Sequence, residues 1–273
     1  MTLIRQLHSQ SNETFSQLTY SPSVTELTFV KRRMSQLMIL PPGKSFQDVG
    51  RTRLSPKTRT LKQPLAENLF TACNFFSSEE CKSWINYCNT IGFAEIKANA
   101  TYETARRYHG RIQVRAADAA ASIFQRLLPF LPADLDGCAP VGCNPDIRLY
   151  RYTPGQSFGK HVDGSTEDHE GRGVTKFTVL IYLTGVNENN AFSEDPSAAQ
   201  SLLRGGETIF YALSTSILKG KSAKQPTEKL LLSVRPQTGM LLAHAHGDRC
   251  LTHEGAPVIS GIKYVLRTDV VYG

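Results

Sequence analysis

Residues 253–273 read HEGAPVISGIKYVLRTDVVYG, and the second half of this segment is rich in the β-branched and aromatic residues that favour strands. In a strand, successive side chains point to opposite faces. One face then carries Lys263, Val265 and Arg267. If this face lines the interior of a barrel, Lys263 is a buried cation, and a buried cation needs an anion such as the carboxylate of a co-substrate. The alternative is a lysine on an exposed sheet edge.

A candidate metal site combines the start of this segment with a pair of residues about 90 positions earlier. His161 and Asp163 follow a glycine-rich turn over Pro154–Gly159. In an extended chain, residues i and i+2 point the same way, so both side chains can face one metal, with His253 as the best third ligand. Two histidines and one carboxylate leave three positions of an octahedral ion open, which suits Fe(II). Zinc accepts the same ligand types and stays an alternative.

The chain offers a second His-x-Asp pair, His246 and Asp248. This pair lies only five residues before His253, which leaves little chain for two separate strands. The first pair has ample chain for intervening strands, although spacing alone is equally consistent with a surface accident. For the remaining histidines considered, a structural or solvated role is favoured: His8, His109 and His169.

Two helices are predicted ahead of a strand-rich half. Ser77–Glu80 form a Ser-x-x-Glu capping box, which predicts a helix that begins there and ends near Gly92. A second helix is predicted from Ala117 to about Leu128, because Pro129 stops it. Short strands follow, separated by Gly, Pro, Asn and Asp: Ile147–Tyr152, Val174–Thr184, Glu207–Tyr211, Lys229–Val234, Gly239–His244 and Val258–Tyr272. This order predicts an α+β class with a sandwich or barrel core.

Charge divides the chain near residue 64. Residues 1–64 carry 10 Lys and Arg against 3 Asp and Glu, whereas residues 65–273 carry 21 of each. We predict that 1–64 form a flexible, mostly disordered basic leader and that 65–273 form one domain. Within it, 65–140 supply helical support and 141–273 supply the strand-rich core. A neutral body argues against nucleic-acid binding by the folded domain.

The cysteines and the hydropathy of the chain indicate the cellular compartment in which we expect the protein. None of the six cysteines forms a Cys-x-x-Cys pair, so we expect them to be reduced and mostly buried. The sequence contains no run of 18 apolar residues, so no membrane span is predicted. The N-terminus also lacks the apolar core of a secretory signal. These features predict a cytoplasmic protein that is not secreted and binds no membrane. Targeting to an organelle through the leader is the alternative.

Five short motifs follow one another over residues 148–273. They are Tyr152-x8-His161-x-Asp163, Tyr182-Leu183-Thr184, Gly205-Gly206-Glu207-Thr208, Gly239-Met240-Leu241-Leu242, and His253-x9-Lys263 with Pro257-Val258 and Gly261 between. Each motif is weak alone, but in this order and spacing the chain resembles the Fe(II)- and 2-oxoglutarate-dependent dioxygenases, and among them the prolyl 4-hydroxylase-like group. The resemblance implies a double-stranded β-helix, or jelly roll, over 141–273.

The resemblance also implies a role for each motif residue. The iron ligands would be His161, Asp163 and His253. Lys263 would bind the distal carboxylate of 2-oxoglutarate, and Tyr182 would donate its hydroxyl to the same group. Tyr152 matches the motif tyrosine near the metal. Arg267 departs from the pattern, because it shares the face of Lys263 and could compete with it as a second co-substrate contact.

The activity implied is hydroxylation of a C–H bond, with oxidative decarboxylation of 2-oxoglutarate to succinate and CO2. The cofactors would be Fe(II) and 2-oxoglutarate, with ascorbate as a further candidate. A prolyl residue of a protein or peptide is the substrate that the resemblance favours, and a free small molecule is the alternative. Two other classes remain open: a non-catalytic jelly-roll binding or scaffold protein, and a zinc or other-metal cupin.

Overall fold

The computed structural model describes residues 61–66, 68–101, 105–186, 202–214 and 227–273. Residues 1–60 of the predicted leader lie outside the described residues. The first described strand, Leu61–Ala66, extends across the predicted domain boundary at residue 64. No helix in the described ranges is long and apolar enough to cross a membrane.

Strands dominate the described residues, and two α-helices accompany them. The helices are α1 (Ser78–Ile91) and α2 (Ala117–Leu127). The strands are β1 (Leu61–Ala66), β2 (Leu69–Cys73), β3 (Ala94–Ala98), β4 (Arg107–Arg115), β5 (Pro140–Cys143), β6 (Asp146–Tyr152), β7 (Ser157–His161), β8 (Val174–Tyr182), β9 (Arg204–Gly205), β10 (Thr208–Ser214), β11 (Thr227–Val234), β12 (Leu241–Ala245), β13 (Thr252–Gly255), β14 (Val258–Ser260) and β15 (Lys263–Tyr272).

The strands form an antiparallel jelly roll, which confirms the predicted fold class. The order along the main sheet is β1-β2-β12-β8-β15-β6-β4-β7-β13-β10-β11, with β3 beside β4 and β5 beside β15. Strands β9 and β14 form a separate antiparallel pair. The sheet curves back on itself, since the ring of Phe210 on β10 lies 5.5 Å from that of His244 on β12. The interior therefore lies between β12-β8-β15-β6 and β7-β13-β10.

The two faces of β8 divide the hydrophobic core, because Phe177, Val179 and Ile181 alternate along the strand with Thr178, Leu180 and Tyr182. Phe177 and Ile181 are fully buried in a cluster that includes Trp84 of α1 and Phe124 of α2. On the opposite face, Tyr182 belongs to a second buried cluster inside the roll. The helices thus cover the outside of the sheet, and the inner face is left for the site.

The capping box at Ser77–Glu80 forms as predicted. The Ser77 hydroxyl accepts a hydrogen bond from the Glu80 backbone N–H at 3.2 Å, and the Glu80 carboxylate accepts one from the Ser77 backbone N–H at 2.7 Å. At the other end, the Gly92 N–H donates to the Cys88 carbonyl with φ at +84°. The helix predicted from the sequence therefore has its predicted ends.

The region predicted as helical support also contributes strands to the roll. In the sequence, the hairpin of β3 and β4 comes between the two helices. In the sheet, β3 pairs with β4, and β4 pairs with both β6 and β7. Ile112 and Val114 on β4 are buried, while the intervening Gln113 and flanking Arg115 are exposed. The alternation is present in the sequence, but its charged positions make the segment resemble a solvated loop.

Replacing Gly239 tests how closely the turn just before β12 packs against the rest of the fold. The φ of Gly239 is +78°, and an added Cβ would lie 2.1 Å from the Phe76 carbonyl oxygen. Gly137 has a matching φ of +79° but no atom near an added Cβ. Gly137→Ala should cost about 1–2 kcal/mol for the left-handed backbone. Gly239→Ala should cost about 1–3 kcal/mol more for the clash. Equal losses in urea unfolding would contradict this packing.

Candidate metal centre

Two paired strands bring the predicted metal ligands together. His161 ends β7, and the antiparallel pairing with β13 places His253 directly opposite it. Asp163 follows two residues after the end of β7. The Asp163 carboxylate lies 3.7 Å from His161 Nε2 and 3.8 Å from His253 Nε2. One donor atom from each of the three residues therefore falls within 4.8 Å of the others. Their role as iron ligands stays a prediction.

The two histidine rings are oriented by backbone carbonyls. His161 Nδ1 lies 2.8 Å from the Gly159 oxygen, and His253 Nδ1 lies 2.9 Å from the Leu251 oxygen. A carbonyl can only accept, so each Nδ1 carries the proton and each Nε2 presents a lone pair. Histidines that bind metals usually have this arrangement, in which a hydrogen bond at one ring nitrogen fixes the ring and leaves the other nitrogen free for the metal.

A third imidazole, that of His244 on β12, faces the same carboxylate. His244 Nε2 lies 3.7 Å from Asp163 Oδ2 and has no hydrogen-bond partner among the described residues. Sequence patterns do not mark this residue as a ligand, because Gly239–His244 resembles an ordinary apolar strand. The available signal is the strand alternation, which puts His244 on the same face as Leu242 of the inner cluster.

The charge states around Asp163 favour a cation. Burial lowers the pKa of His161 to about 4, and burial also lowers the pKa values of His244 and His253. Burial alone would raise the pKa of Asp163, but the Arg267 guanidinium and the hydrogen bond from Thr178 hold it well below its usual range. An ionised carboxylate thus faces neutral rings that present lone pairs. Such atoms repel one another unless a cation lies between them, so the donor set fits a metal ion.

A buried network holds Asp163 from behind. Thr178 Oγ1 donates to Asp163 Oδ2 at 2.6 Å and lies 2.8 Å from His246 Nε2. Arg267 Nη2 lies 3.2 Å from Asp163 and 3.2 Å from Asp269. The structure therefore gives Arg267 two carboxylate partners of its own, and its predicted contact with the co-substrate stays untested.

The competing His246-x-Asp248 pair does not converge on one point. His246 is buried in the network behind Asp163, whereas Asp248 is exposed in a short 3-10 helix, Gly247–Arg249. Of the other histidines, His109 is buried against Tyr150 and Tyr152, which fits the structural role predicted for it.

A second cluster of possible metal donors shares His253. It consists of His244, Cys250 and His253, with the Cys250 sulfur 3.8 Å from His244 Nδ1 and 3.9 Å from His253 Nδ1. Burial raises the pKa of the Cys250 thiol to about 11, so the sulfur stays protonated at neutral pH. Both Nδ1 atoms also face carbonyls. The Nε2 side of the rings, which faces the Asp163 carboxylate, is therefore a better metal site than the Nδ1 side, which faces Cys250.

Lys263, the first residue of β15, is also buried, with 4% of its surface exposed. Its Nζ donates to the Gly206 carbonyl at 2.6 Å and forms no ion pair with a described carboxylate. Burial lowers the pKa of Lys263 to about 8, although Glu207 opposes this shift. The side chain is thus a buried amine without a direct anionic partner, as the strand alternation predicts for an interior face.

The two motif tyrosines surround Lys263. The Nζ atom lies 5.3 Å from the Tyr152 ring centroid and 5.5 Å from the Tyr182 ring centroid. Tyr182 hydrogen-bonds Thr208 Oγ1 at 2.7 Å, and burial raises its pKa. Its hydroxyl therefore has a partner inside the roll, and donation to a co-substrate stays a prediction. Tyr152 pairs across the strands with Lys263.

Comparison with known proteins gives structural likenesses alone. No family model and no curated protein matches the chain. Among solved structures, a viral collagen prolyl hydroxylase of Paramecium Bursaria Chlorella virus-1 in complex with 2OG shares 19% identity, covering 74% of this chain and 95% of that one, with a TM-score of 0.45.

Two further structures are prolyl hydroxylases of other organisms. The Trichoplax adhaerens prolyl hydroxylase in complex with a hypoxia inducible factor peptide shares 15% identity, covering 75% of this chain and 83% of that one, at TM-score 0.47. A Pseudomonas putida prolyl-4-hydroxylase shares 15% identity, covering 75% and 92%, at TM-score 0.41. Each likeness is weak in identity and TM-score, so the case for a function has to come from the residues of the site.

Proposed function

We propose that this protein is an Fe(II)- and 2-oxoglutarate-dependent dioxygenase that hydroxylates a C–H bond. The observation that carries the proposal is the presence of two complementary sites inside the roll. At one, Asp163 and neutral histidines present lone pairs to a cation. At the other, Lys263 is a buried amine that forms no ion pair with a carboxylate of the described residues. A small molecule that chelates a metal at one end and carries a carboxylate at the other satisfies both.

Each side chain then has a defined task. His161, Asp163 and His253 hold the metal, and Thr178 and Arg267 hold the Asp163 carboxylate in place. Lys263 binds the distal carboxylate, and the surrounding tyrosines exclude water from that ion pair. When bound, Fe(II) supplies the activation of O2 that couples decarboxylation of 2-oxoglutarate to hydroxylation.

A prolyl residue of a protein or peptide is our proposed substrate, and the motif resemblance to prolyl 4-hydroxylases supports it. A free small molecule is the alternative. Beside the predicted metal ligands, Phe158 stacks on the His161 ring with the ring centroids 3.8 Å apart, and the exposed Arg107 lies 4.8 Å from the centroid of the Phe158 ring. A ring and a cation at this position suit a substrate segment with an apolar and an acidic group.

Two other classes are compatible with parts of the site. A non-catalytic scaffold would have no need of a buried amine next to an intact set of donors. A closed zinc centre would use the donors but not Lys263. The combination of donors and Lys263 is therefore what favours a keto-acid enzyme over both.

Succinate release provides the activity test. Purified protein with Fe(II), 2-oxoglutarate and ascorbate is expected to form succinate, at a rate raised by proline-containing peptides if a peptide is the substrate. Omitting ascorbate shows whether it takes part. A protein that binds Fe(II) but forms no succinate with any peptide or small molecule screened would contradict a dioxygenase function.

The pH dependence of co-substrate binding follows from Lys263. The distal carboxylate needs the charged amine, which has a pKa of about 8 before binding. Below pH 8 the affinity for 2-oxoglutarate should be flat, because the proton is already present. Above pH 8 binding must take up a proton, so the affinity should fall about tenfold per pH unit. Calorimetry at pH 7, 8 and 9 measures this.

Lys263→Arg is the matched control for the pH profile. An arginine keeps its proton throughout this range, so any remaining affinity should be independent of pH. If the wild-type affinity stays flat from pH 7 to pH 9, Lys263 does not bind the co-substrate in the way proposed.

A further inference from the structure

His244 is a buried histidine with an unused nitrogen. Its side chain is 2% exposed, and its Nε2 atom is among three buried side-chain atoms in the described ranges that lack a hydrogen-bond partner. Buried polar atoms are paired in the great majority of cases, because desolvation without a partner is costly. An unpaired ring nitrogen that faces an ionised carboxylate therefore points to a ligand.

His244 Nε2 is as close to the Asp163 carboxylate as the Nε2 atoms of the two predicted histidine ligands are, although His244 lies outside the group of three whose donor atoms all fall within 4.8 Å of one another. Its Nε2 lies 3.7 Å from the Asp163 carboxylate, against 3.7 Å for His161 and 3.8 Å for His253. The His253 ring contacts both of the others, since its centroid lies 4.2 Å from that of His161 and 4.4 Å from that of His244. Each of the three Nε2 atoms thus lies within 3.8 Å of an oxygen of the Asp163 carboxylate, that of His161 near Oδ1 and the other two near Oδ2.

The hydrogen bonding of the ring favours a lone pair on Nε2. His244 Nδ1 lies 3.3 Å from the Ala245 carbonyl oxygen, which accepts but cannot donate. The proton therefore belongs on Nδ1, as in His161 and His253. A protonated Nε2 would have to reach Asp163 across 3.7 Å, which is too long for a hydrogen bond.

We propose that His244 Nε2 is a fourth protein donor to the metal, so that the centre has three histidines and one carboxylate. The inference rests on the proposed function only in that a metal binds at Asp163. Four protein donors would leave room for only two more on an octahedral ion. A keto acid chelating through two oxygens would take both places, so His244 would have to move away before O2 could reach the site. His244 would in this way hold back the reaction with O2 until its ring is displaced.

X-ray absorption spectroscopy of the Fe(II)-loaded protein tests this inference directly. Scattering from imidazole rings counts the bound histidines, and it needs neither activity nor co-substrate. We expect three imidazoles in the wild-type protein and two in His244→Phe, which keeps a ring of similar size. We also expect His244→Phe to weaken Fe(II) binding by about 10- to 100-fold in competition with a chelator.

His109→Phe is the matched control, because His109 is equally buried and its Nδ1 also faces a backbone carbonyl, that of Gly110. It should keep three imidazoles and the wild-type affinity. Two imidazoles in the wild-type protein would overturn the inference, even if His244→Phe weakens binding. Three imidazoles without succinate formation would contradict the proposed activity and leave the fourth donor in place.

Discussion

Asp163→Ala is expected to abolish iron-dependent turnover and to lower Fe(II) affinity by more than about 100-fold. Losing a contact beyond the ligands typically costs 10- to 100-fold in metal affinity, and Asp163 is itself a predicted ligand. Asp163 also supplies the negative charge that attracts a cation to the lone pairs of the histidines. Without it, the remaining donors are neutral rings, and the Arg267 cation is left beside the metal site. Equilibrium binding of Fe(II) under anaerobic conditions measures the loss.

Two variants separate this loss from a folding defect. Asp163→Asn keeps the shape and the hydrogen bond from Thr178 but removes the charge, so it should fold and still lose the metal. Asp248→Ala removes the exposed carboxylate of the other His-x-Asp pair and should bind Fe(II) as the wild-type protein does. Strong Fe(II) binding by Asp163→Asn, or its loss in Asp248→Ala, would move the site.

Lys263→Ala is expected to raise the 2-oxoglutarate requirement strongly while leaving Fe(II) binding nearly unchanged. Truncating one partner of a buried, charge-assisted contact costs roughly 2–5 kcal/mol, or about 30- to several-thousand-fold in affinity. The metal donors do not contact Lys263, whose Nζ is bonded to the Gly206 carbonyl. Separate titrations of Fe(II) and of 2-oxoglutarate with the same variant measure the two effects.

Arg267 provides the comparison for Lys263. Because Arg267 contacts Asp163 and Asp269, Arg267→Lys should disturb the metal more than the co-substrate. Lys263→Arg should restore 2-oxoglutarate binding only partially, since a guanidinium is bulkier and needs different geometry. If Lys263→Ala has no effect and Arg267→Lys raises the 2-oxoglutarate requirement, Arg267 is the co-substrate anchor.

Much of the fold follows from local signals in the sequence. The capping box at Ser77 and the glycine at position 92 define α1, because helix ends are decided by side chains within one turn. The alternation over Val174–Thr184 likewise predicts which face packs against the helices. The run Val258–Tyr272 is one strand in the prediction but two in the structure. Gly261, with φ at +72°, separates β14 from β15.

Which residues come together at the site is harder to predict from the sequence. His161 and Asp163 are close in the chain, and the spacing to His253 favours it as the third ligand. His244 converges on them only because β12 lies next to β8 in the folded sheet. Likewise, the pairing of Arg267 with Asp163 depends on the packing of β15 against the loop after β7, and no local pattern encodes a contact between residues 104 positions apart.

The most direct test of the proposed activity is the visible absorption of the protein titrated anaerobically with Fe(II) and 2-oxoglutarate. A keto acid that chelates Fe(II) gives a metal-to-ligand charge-transfer band, and this band requires no substrate. The proposal predicts a band that needs both components, saturates at one equivalent of Fe(II), disappears in Asp163→Ala and requires far more 2-oxoglutarate in Lys263→Ala. A wild-type protein that binds Fe(II) but develops no band with excess 2-oxoglutarate would contradict it.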